Sequence, residues 1–301
     1  MVELRRYGAV LLASCILYLV SRNVLRHDSQ PFLKDSCIMS STFPVGVFDS
    51  GVGGLSILAR IHELLPHESL LYVADSAHAP YGPKGDAFIL ARSRAIVDYF
   101  VAKDVKAIVV ACNTATAAAV KQLREEYSLP IIGMEPAIKP AAEKSQSGVI
   151  GVLATEGTLA SDKFVELKSR FDGKAEIITQ PCPGLVEEIE KLEPDNAVID
   201  KLLKEYIPPL LAKGVDTLVL GCTHYSYIEE QIRAVAGESV AIIDTDDAVA
   251  RRLASVLEEN ALLDAAGVDG GVAFYSSGNL ADQCALISRC WGRNVTVDRL
   301  A

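Results

Sequence analysis

Two cysteines, Cys112 and Cys222, end the same kind of sequence pattern in different parts of the chain. Each closes an apolar run, which starts at Val105 in one case and at Val215 in the other. We interpret both runs as buried strands with a thiol at the C-terminal end. A helix that begins there favours the thiolate and lowers the pKa of the cysteine from about 8.5, so both thiols are predicted to be reactive.

The pairing of the two thiols indicates more than either does alone. A lone cysteine in this position is either a buried apolar side chain or the nucleophile of a hydrolase or redox enzyme. Two equivalent thiols in a duplicated fold lie on opposite sides of one cleft when the halves pack face to face. That arrangement suits removal of a proton from one face of a carbon atom and its return to the other, which inverts a stereocentre.

Two neighbouring side chains are candidates for assisting the thiols. His224 lies two residues after Cys222 and can tune that thiol or relay a proton. Asp49 ends a strand that we expect beside the Cys112 strand, near that thiol or a substrate ammonium group. The alternatives are a core or capping histidine and a helix-capping aspartate. No metal is predicted, because no further Cys or His has fitting spacing. No lysine motif for a pyridoxal cofactor stands out, so no cofactor is predicted either.

The segment from Asp49 to Ser56 is a glycine-rich loop between a short strand and a helical pattern that Pro66 ends. Glycines let a backbone approach a ligand closely, and a helix N-terminus presents unpaired N–H groups. The GVGG spacing is not the GxGxxG of dinucleotide-binding loops. We therefore expect a small carboxylate rather than a nucleotide at this loop, with a plain tight turn as the alternative.

Strand and helix patterns alternate from residue 45 onwards, which predicts parallel sheets with helices on both faces. The pattern restarts at Val149–Ala154, where Gly151 corresponds to Gly46 in the first half. The predicted fold is therefore α/β, with two pseudo-symmetric domains. Each domain is a mostly parallel sheet flanked by helices, and the active site lies in the cleft between them.

Composition narrows the class of protein. The chain has 301 residues, half of them apolar, a net charge of −10 and a pI near 5.1. An acidic chain without a Lys/Arg cluster longer than two argues against nucleic-acid binding. The seven cysteines are odd in number and form no CxxC motif, which favours reduced thiols in the cytoplasm.

The N-terminus carries a second localisation signal. Arg5 and Arg6 precede an apolar run, Tyr7–Val20, that is shorter than the roughly 20 residues of a membrane span but suits a signal-peptide core. Met39, just before the first strand, would be a natural start. The run is therefore a targeting peptide, a weak membrane anchor, or a segment outside the working protein.

Several motifs in order resemble the glutamate racemase family, within the aspartate/glutamate racemase superfamily. The resemblance covers roughly Pro44 to Asn294. It rests on Gly46-Val-Phe-Asp-Ser-Gly-Val-Gly-Gly54, Pro80-Tyr81-Gly82, Ala111-Cys112-Asn113-Thr114-Ala115 and Gly221-Cys222-Thr223-His224-Tyr225.

The resemblance implies a cofactor-independent enzyme that interconverts L- and D-glutamate by a two-base thiol mechanism and supplies D-glutamate for peptidoglycan, hence for cell wall and cell shape. Cys112 and Cys222 would be the two acid/bases, helped by Asp49, His224 and Glu190. The implied substrate contacts are Asp49, Ser50, Tyr81, Gly82, Asn113, Thr114, Thr223 and His224.

The resemblance also places the last strand and helix, Gly270–Trp291, back in the first domain. The predicted boundaries are 1–43 for an N-terminal extension, 44–138 plus 247–297 for the first domain, and 139–246 for the second. A homodimer is expected. The alternatives are a racemase for aspartate or another acidic amino acid, and a binding or regulatory protein that kept the fold.

Overall fold

The computed structural model describes residues 41–300, which form two parallel β-sheets covered by helices. The interpretations of Tyr7–Val20 and of Met39 as a start fall outside the described residues. Within 41–300, no helix is both long and apolar enough to cross a membrane. The predicted α/β class, with parallel sheets flanked by helices, is confirmed.

The strands were expected to be apolar on both faces, as in sheets covered by helices, and most of them are buried. They are β1 (Val45–Asp49), β2 (Leu70–Ala74), β3 (Ala107–Val110), β4 (Ile131–Ile132), β5 (Val149–Ala154), β6 (Glu176–Pro181), β7 (Thr217–Leu220), β8 (Ala241–Ile243), β9 (Val272–Ser276) and β10 (Val297–Arg299).

The helices connect successive strands and cover the sheets. They are α1 (Leu55–Leu64), α2 (Asp86–Ala102), α3 (Asn113–Glu126), α4 (Ile138–Lys144), α5 (Glu156–Ala160), α6 (Asp162–Ser169), α7 (Leu185–Ile189), α8 (Asn196–Tyr206), α9 (Pro208–Leu211), α10 (Glu229–Ala236), α11 (Asp246–Glu259) and α12 (Leu280–Trp291). Two 3₁₀ turns, Ser76–His78 and Thr223–Ile228, follow β2 and β7.

The strand order β2-β1-β3-β4 within the first sheet is repeated by the second sheet. The first runs β10-β9-β2-β1-β3-β4 and the second runs β6-β5-β7-β8, with every pairing parallel. The register repeats too, since Gly46 lies opposite Ile108 and Gly151 lies opposite Leu218. The correspondence between the two glycine positions therefore holds in the hydrogen-bonded structure, which is the expected signature of a duplicated α/β unit.

The end of the chain extends the first sheet. Strand β9 pairs with β2, and α12 packs on α1. A final strand, β10, follows α12 and pairs with β9. The sequence pattern placed the last strand at 270–276 and missed β10, because a three-residue edge strand that is largely exposed carries almost no apolar signal. The domain boundaries at 138/139 and 246/247 stay a prediction.

Each sheet has an apolar layer on both faces. In the first, Val47 and Val109 face one core while Phe48 and Val110 face the other. In the second, Leu153 and Val152 divide in the same way. This alternation follows from the two-residue period of a strand. It fixes the strand ends as rigid supports for the residues that follow them.

Candidate active site

The predicted site residues gather at the C-terminal ends of the parallel strands, where open α/β sheets bind their ligands. Asp49 ends β1, and Cys112 follows the adjacent β3. Cys222 follows β7 in the second sheet. Both thiols are buried, with 6% and 8% of their surface exposed. The expected proximity of the Asp49 and Cys112 strands is confirmed by the β1–β3 pairing.

Cys112 is the N-cap residue of α3, and its Sγ accepts the Ala115 N–H at 3.4 Å. Its thiol also reaches the Ser50 hydroxyl at 3.8 Å. Burial raises the pKa of Cys112 well above its ordinary value, and the nearby charges of Asp49 and Cys222 raise it further. The expectation of a lowered pKa is therefore wrong for Cys112. Desolvation outweighs the single helix N–H, and the thiol is protonated at neutral pH.

Asp49 is fully buried and holds the glycine loop. Its Oδ1 accepts the Ser50 N–H at 2.7 Å, and its Oδ2 accepts the Gly54 N–H at 2.8 Å. Asp49 therefore binds backbone N–H groups, as a capping residue does. It is also a neighbour of Cys112, because its charge raises the pKa of that thiol.

Cys222, His224 and Glu190 form a chain of polar contacts. Sγ of Cys222 lies 3.7 Å from Nδ1 of His224, and Nε2 of that ring lies 2.6 Å from Oε1 of Glu190. Burial alone would lower the pKa of His224. The hydrogen bonds to Cys222 and Glu190 outweigh burial and raise that pKa well above its ordinary value. The ring therefore lies between Sγ of Cys222 and the Glu190 carboxylate, and both contacts favour its imidazolium form.

The glycine loop packs directly on these helpers. Glu190 Oε1 also accepts the Val52 N–H at 2.7 Å. A Cβ at Gly51 would lie 1.8 Å from that Glu190 oxygen, and a Cβ at Gly53 would lie 2.4 Å from Nδ1 of His224. The loop was predicted to bind a small carboxylate ligand. Three of its N–H groups instead bind the carboxylates of Asp49 and Glu190.

Two tyrosines that the sequence patterns did not single out complete the loop. The Tyr72 hydroxyl donates to the Gly51 carbonyl at 2.8 Å, and the Tyr227 hydroxyl donates to the Val52 carbonyl at 3.3 Å. Tyr72 lies on β2, whereas Tyr227 lies in the turn after β7. The loop thus receives contacts from a strand of the first sheet and from the turn after a strand of the second.

Tyr81 is buried, and its hydroxyl donates to Oδ2 of Asp75 at 2.6 Å. Asp75 also accepts two hydrogen bonds from Arg92 and contacts Nδ1 of His78 at 2.9 Å. Burial raises the pKa of Asp75, but these hydrogen bonds lower it more. The Tyr81 hydroxyl is therefore bound to the protein, and only its ring and backbone remain for a ligand. Asp75 is a further residue that the motifs did not reveal.

Gly82 and Thr114 make contacts with the start of α5. A Cβ at Gly157 would lie 2.6 Å from the Gly82 carbonyl oxygen. The Thr114 hydroxyl lies 2.9 Å from that of Thr155 and 3.1 Å from that of Thr158, so three hydroxyls form a triangle. Thr155 occupies the position in the second half that corresponds to Ser50 in the first. This correspondence could have identified Thr155 as a site residue from the sequence.

Asn113 is a buried side chain of the site whose two polar atoms make no hydrogen bond. It is 4% exposed, and neither Oδ1 nor Nδ2 has a hydrogen bond. A buried amide without partners costs free energy, so this side chain is suited to a polar ligand. Thr223 is buried next to Gly53, where a glycine Cβ would lie 2.6 Å from its Oγ1. All eight predicted substrate contacts thus lie at the strand ends, in the glycine loop or beside the start of α5.

The arrangement provides two thiols, one imidazolium and one unpartnered amide in a buried setting. Across residues 41–300, no group of three or more His, Cys, Asp or Glu side chains could hold a metal ion. Two thiols beside an imidazole and carboxylates are groups that can transfer protons, and the surrounding hydrogen-bond donors can hold an anionic ligand.

Known proteins have sequences similar to this one. A family model described as Asp/Glu/Hydantoin racemase matches residues 45–253. The glutamate racemase of Stutzerimonas stutzeri (strain A1501) is 53% identical over 256 residues, covering 85% of this chain and 96% of the relative.

Solved structures agree over the same region. A glutamate racemase isoform from Bacillus anthracis has a TM-score of 0.78 at 33% identity, covering 86% of this chain and 97% of its own. The Escherichia coli glutamate racemase, solved in complex with L-glutamate and the activator UDP-MurNAc-ala, has a TM-score of 0.75 at 33% identity, covering 86% of this chain and 98% of its own.

Proposed function

Because this chain belongs to the Asp/Glu/hydantoin racemase family, we propose that it is a glutamate racemase that moves the α-proton between two cysteines. The observation that carries the proposal is the pair of buried thiols, Cys112 and Cys222, which follow equivalent strands of two equivalent sheets. A charge on Cys222 contributes to the raised pKa of Cys112, so both belong to one electrostatic site. The cleft lies between the domains 44–138 plus 247–297 and 139–246.

The reaction needs one thiolate and one thiol. The thiolate removes the α-proton of glutamate and becomes a thiol, which leaves a carbanion conjugated with the α-carboxylate. The thiol on the other face then gives its proton to that carbon and becomes the thiolate. The product has the opposite configuration, and the protonation states of Cys112 and Cys222 are exchanged. Proton exchange with water restores the starting state.

The helpers differ between the two faces. On the Cys222 side, the His224 imidazolium stabilises the negative charge of the thiolate, and Glu190 stabilises the imidazolium. On the Cys112 side, burial and then the charge of Asp49 raise the pKa of the thiol, which favours the protonated form that donates. Hydrogen-bond donors at the strand ends, with the unpartnered Asn113 amide among them, hold the carboxylates of the substrate.

The proposed role in the cell is supply of D-glutamate for peptidoglycan. Thiol catalysis needs reduced cysteines, so a cytoplasmic location is part of the proposal. The proposed assembly is a homodimer, which light scattering of the purified protein measures.

Incubation of L-glutamate with the protein in D₂O tests the activity. The expected product is D-glutamate that carries deuterium at the α-carbon. Aspartate in a parallel reaction distinguishes a glutamate racemase from one for another acidic amino acid. Absence of α-exchange with glutamate would overturn the proposal, and any turnover would exclude a protein that only binds or regulates.

A further inference from the structure

Arg289, near the C-terminal end of α12, reaches across to the turn that carries Glu190. Its guanidinium donates to the carbonyl oxygens of Ile189 at 3.2 Å and of Lys191 at 3.1 Å, and also to that of Leu192. Helix α12 packs on α1 and β10 of the first sheet, whereas α7 and its turn lie in the second half of the repeat. One side chain therefore joins the last helix of the chain to the segment around Glu190.

The three carbonyls flank Glu190 on both sides. Helix α7 ends at Ile189, so these carbonyls are at a helix C-terminus, where no intrahelical N–H remains to satisfy them. A cation with several donors is the side chain suited to that position. A guanidinium has a planar fork of donors, so it fixes the turn in orientation as well as in place.

Glu190 depends on that orientation. Its Oε1 contacts both the His224 ring and the Val52 N–H, so a rotation of the turn breaks two contacts together. The end of α12 also interacts electrostatically with Glu190 and His224. Burial raises the pKa of Cys290, Arg289 lowers it, and the charges of Glu190 and His224 act on it too.

We propose that Arg289 is a positioning residue for Glu190, and through Glu190 and His224 for Cys222, and that it does not serve Cys112. The inference rests on the proposed function, because it assigns Arg289 to one of the two faces of that reaction. A residue that only stabilised the fold would affect both thiols alike. The two roles are distinguished by measuring each thiol separately.

Single-thiol variants separate the faces. In a Cys112→Ser chain, Cys222 is the only thiol base, so α-deuterium exchange from D₂O into one enantiomer reports on the Cys222 side. In a Cys222→Ser chain, exchange into the other enantiomer reports on the Cys112 side.

Arg289→Met is added to each single-thiol chain, since methionine keeps an apolar stem and removes every donor. Arg252→Met, an exposed arginine that pairs with Glu259 on its own helix, is the matched control.

Exchange by Cys222 is expected to fall about tenfold or more with Arg289→Met, because small displacements of helper groups cost rates of this order. Exchange by Cys112 is expected to stay within about twofold when Arg289→Met is added, because Cys112 does not contact the turn around Glu190. The activity of Arg252→Met is expected to stay within about twofold of wild type, because Arg252 does not contact that turn either. Arg289→Lys should recover part of the loss, because an ammonium group retains the charge and three donors.

A second measurement uses the chain with both thiols. Loss of Arg289 frees Glu190 from His224, which lowers the raised pKa of the imidazole and moves the alkaline limb of kcat/KM to lower pH. Equal losses on both faces, or no loss and no movement of that limb, would overturn the inference alone. A wild-type chain without α-exchange would overturn the proposed function, and the inference with it.

Discussion

Nε2 of His224 lies 2.6 Å from Oε1 of Glu190, and the same Glu190 oxygen accepts the Val52 N–H at 2.7 Å. One carboxylate oxygen therefore serves the ring that contacts Cys222 and the loop that follows Asp49. Burial lowers the pKa of His224, but the contacts with Cys222 and then with Glu190 raise it more. The protonation of His224 and the shape of the glycine loop are thus coupled by one side chain.

Replacing Glu190 by glutamine should lower activity in a pH-dependent way. The amide keeps hydrogen-bonding capacity but has no charge, so the pKa of His224 should fall towards its ordinary value of about 6.5. The alkaline limb of kcat/KM is expected to move to lower pH, with the greatest loss above neutrality. The measurement is kcat/KM across the pH range for Glu190→Gln and for Glu187→Gln, an exposed glutamate on α7, the helix that ends just before Glu190. Identical profiles for the two variants would contradict the prediction.

The same pair predicts how stability depends on pH. His224 has a raised pKa in the folded protein, so the folded state binds more protons than the unfolded state above about pH 6.5. Its stabilising contribution is complete below that pH and is lost as the pH rises through the raised value. Urea unfolding of wild type should show this decline, and Glu190→Gln should show less of it. A steeper decline in the variant would exclude the pairing as its source.

The two thiols should differ in which enantiomer they act on. Free L- and D-glutamate are equal in energy, so kcat/KM is the same in both directions for any variant, and steady-state rates cannot reveal the difference. Exchange of the α-proton with D₂O can. Cys112→Ser should retain exchange into one enantiomer and Cys222→Ser into the other, each without net racemisation. If either variant racemised at the wild-type rate, a two-base mechanism would be excluded.

The repeated strand with a terminal cysteine was sufficient to predict a duplicated α/β unit with a thiol at the end of a strand in each copy. This worked because a buried strand of β-branched residues is a local signal, and the repeat doubles it. The correspondence of Gly46 with Gly151 reappears as identical register in the two sheets. The signal for β10 was too short and too polar to be recognised.

Contacts between distant residues could not be predicted in this way. The loop at Val52 is bound by Glu190, which lies 138 residues further along the chain. A strand–glycine–helix pattern predicts N–H groups that need an anion, but it does not reveal that the protein itself supplies the anion. The raised pKa of Cys112 was missed for a related reason, because desolvation depends on what packs around the thiol rather than on its neighbours in sequence.

Gly51→Ala should inactivate the protein while leaving it folded. The new Cβ would lie 1.8 Å from Oε1 of Glu190. The clash is with the end of a flexible side chain, so Glu190 moves away and loses its contacts with His224 and Val52. We expect kcat/KM to fall about a hundredfold or more, because displacement of a group that assists catalysis lowers the rate by this order. The free energy of unfolding should change by no more than about 1–3 kcal/mol, the range for lost hydrogen bonds.

Gly85→Ala is the matched control for that substitution. Nothing lies within 4 Å of a Cβ at Gly85, and its φ of −72° suits any residue. Its activity should equal that of wild type in the same assay. Full activity in Gly51→Ala would show that Glu190 need not touch His224 during turnover.

Tyr81→Phe distinguishes two roles for the tyrosine hydroxyl. In the structure the hydroxyl donates to the buried Asp75 at 2.6 Å, so its removal leaves Asp75 one donor short. A hydrogen bond to a buried charged group contributes about 1.5–3 kcal/mol, so the free energy of unfolding should fall by about that amount. KM should change little, because the ring still packs beside Cys112.

The matched control is Tyr127→Phe, because the Tyr127 hydroxyl donates to Asp98 at 2.7 Å at the protein surface. A solvent-exposed contact of this kind is expected to contribute less than about 1 kcal/mol. Urea unfolding and KM for glutamate are measured on both variants. A hydroxyl that binds substrate would instead raise KM in Tyr81→Phe and leave the free energy of unfolding unchanged. The two outcomes move different quantities, so a single pair of variants decides whether the Tyr81 hydroxyl supports the loop or contacts the ligand.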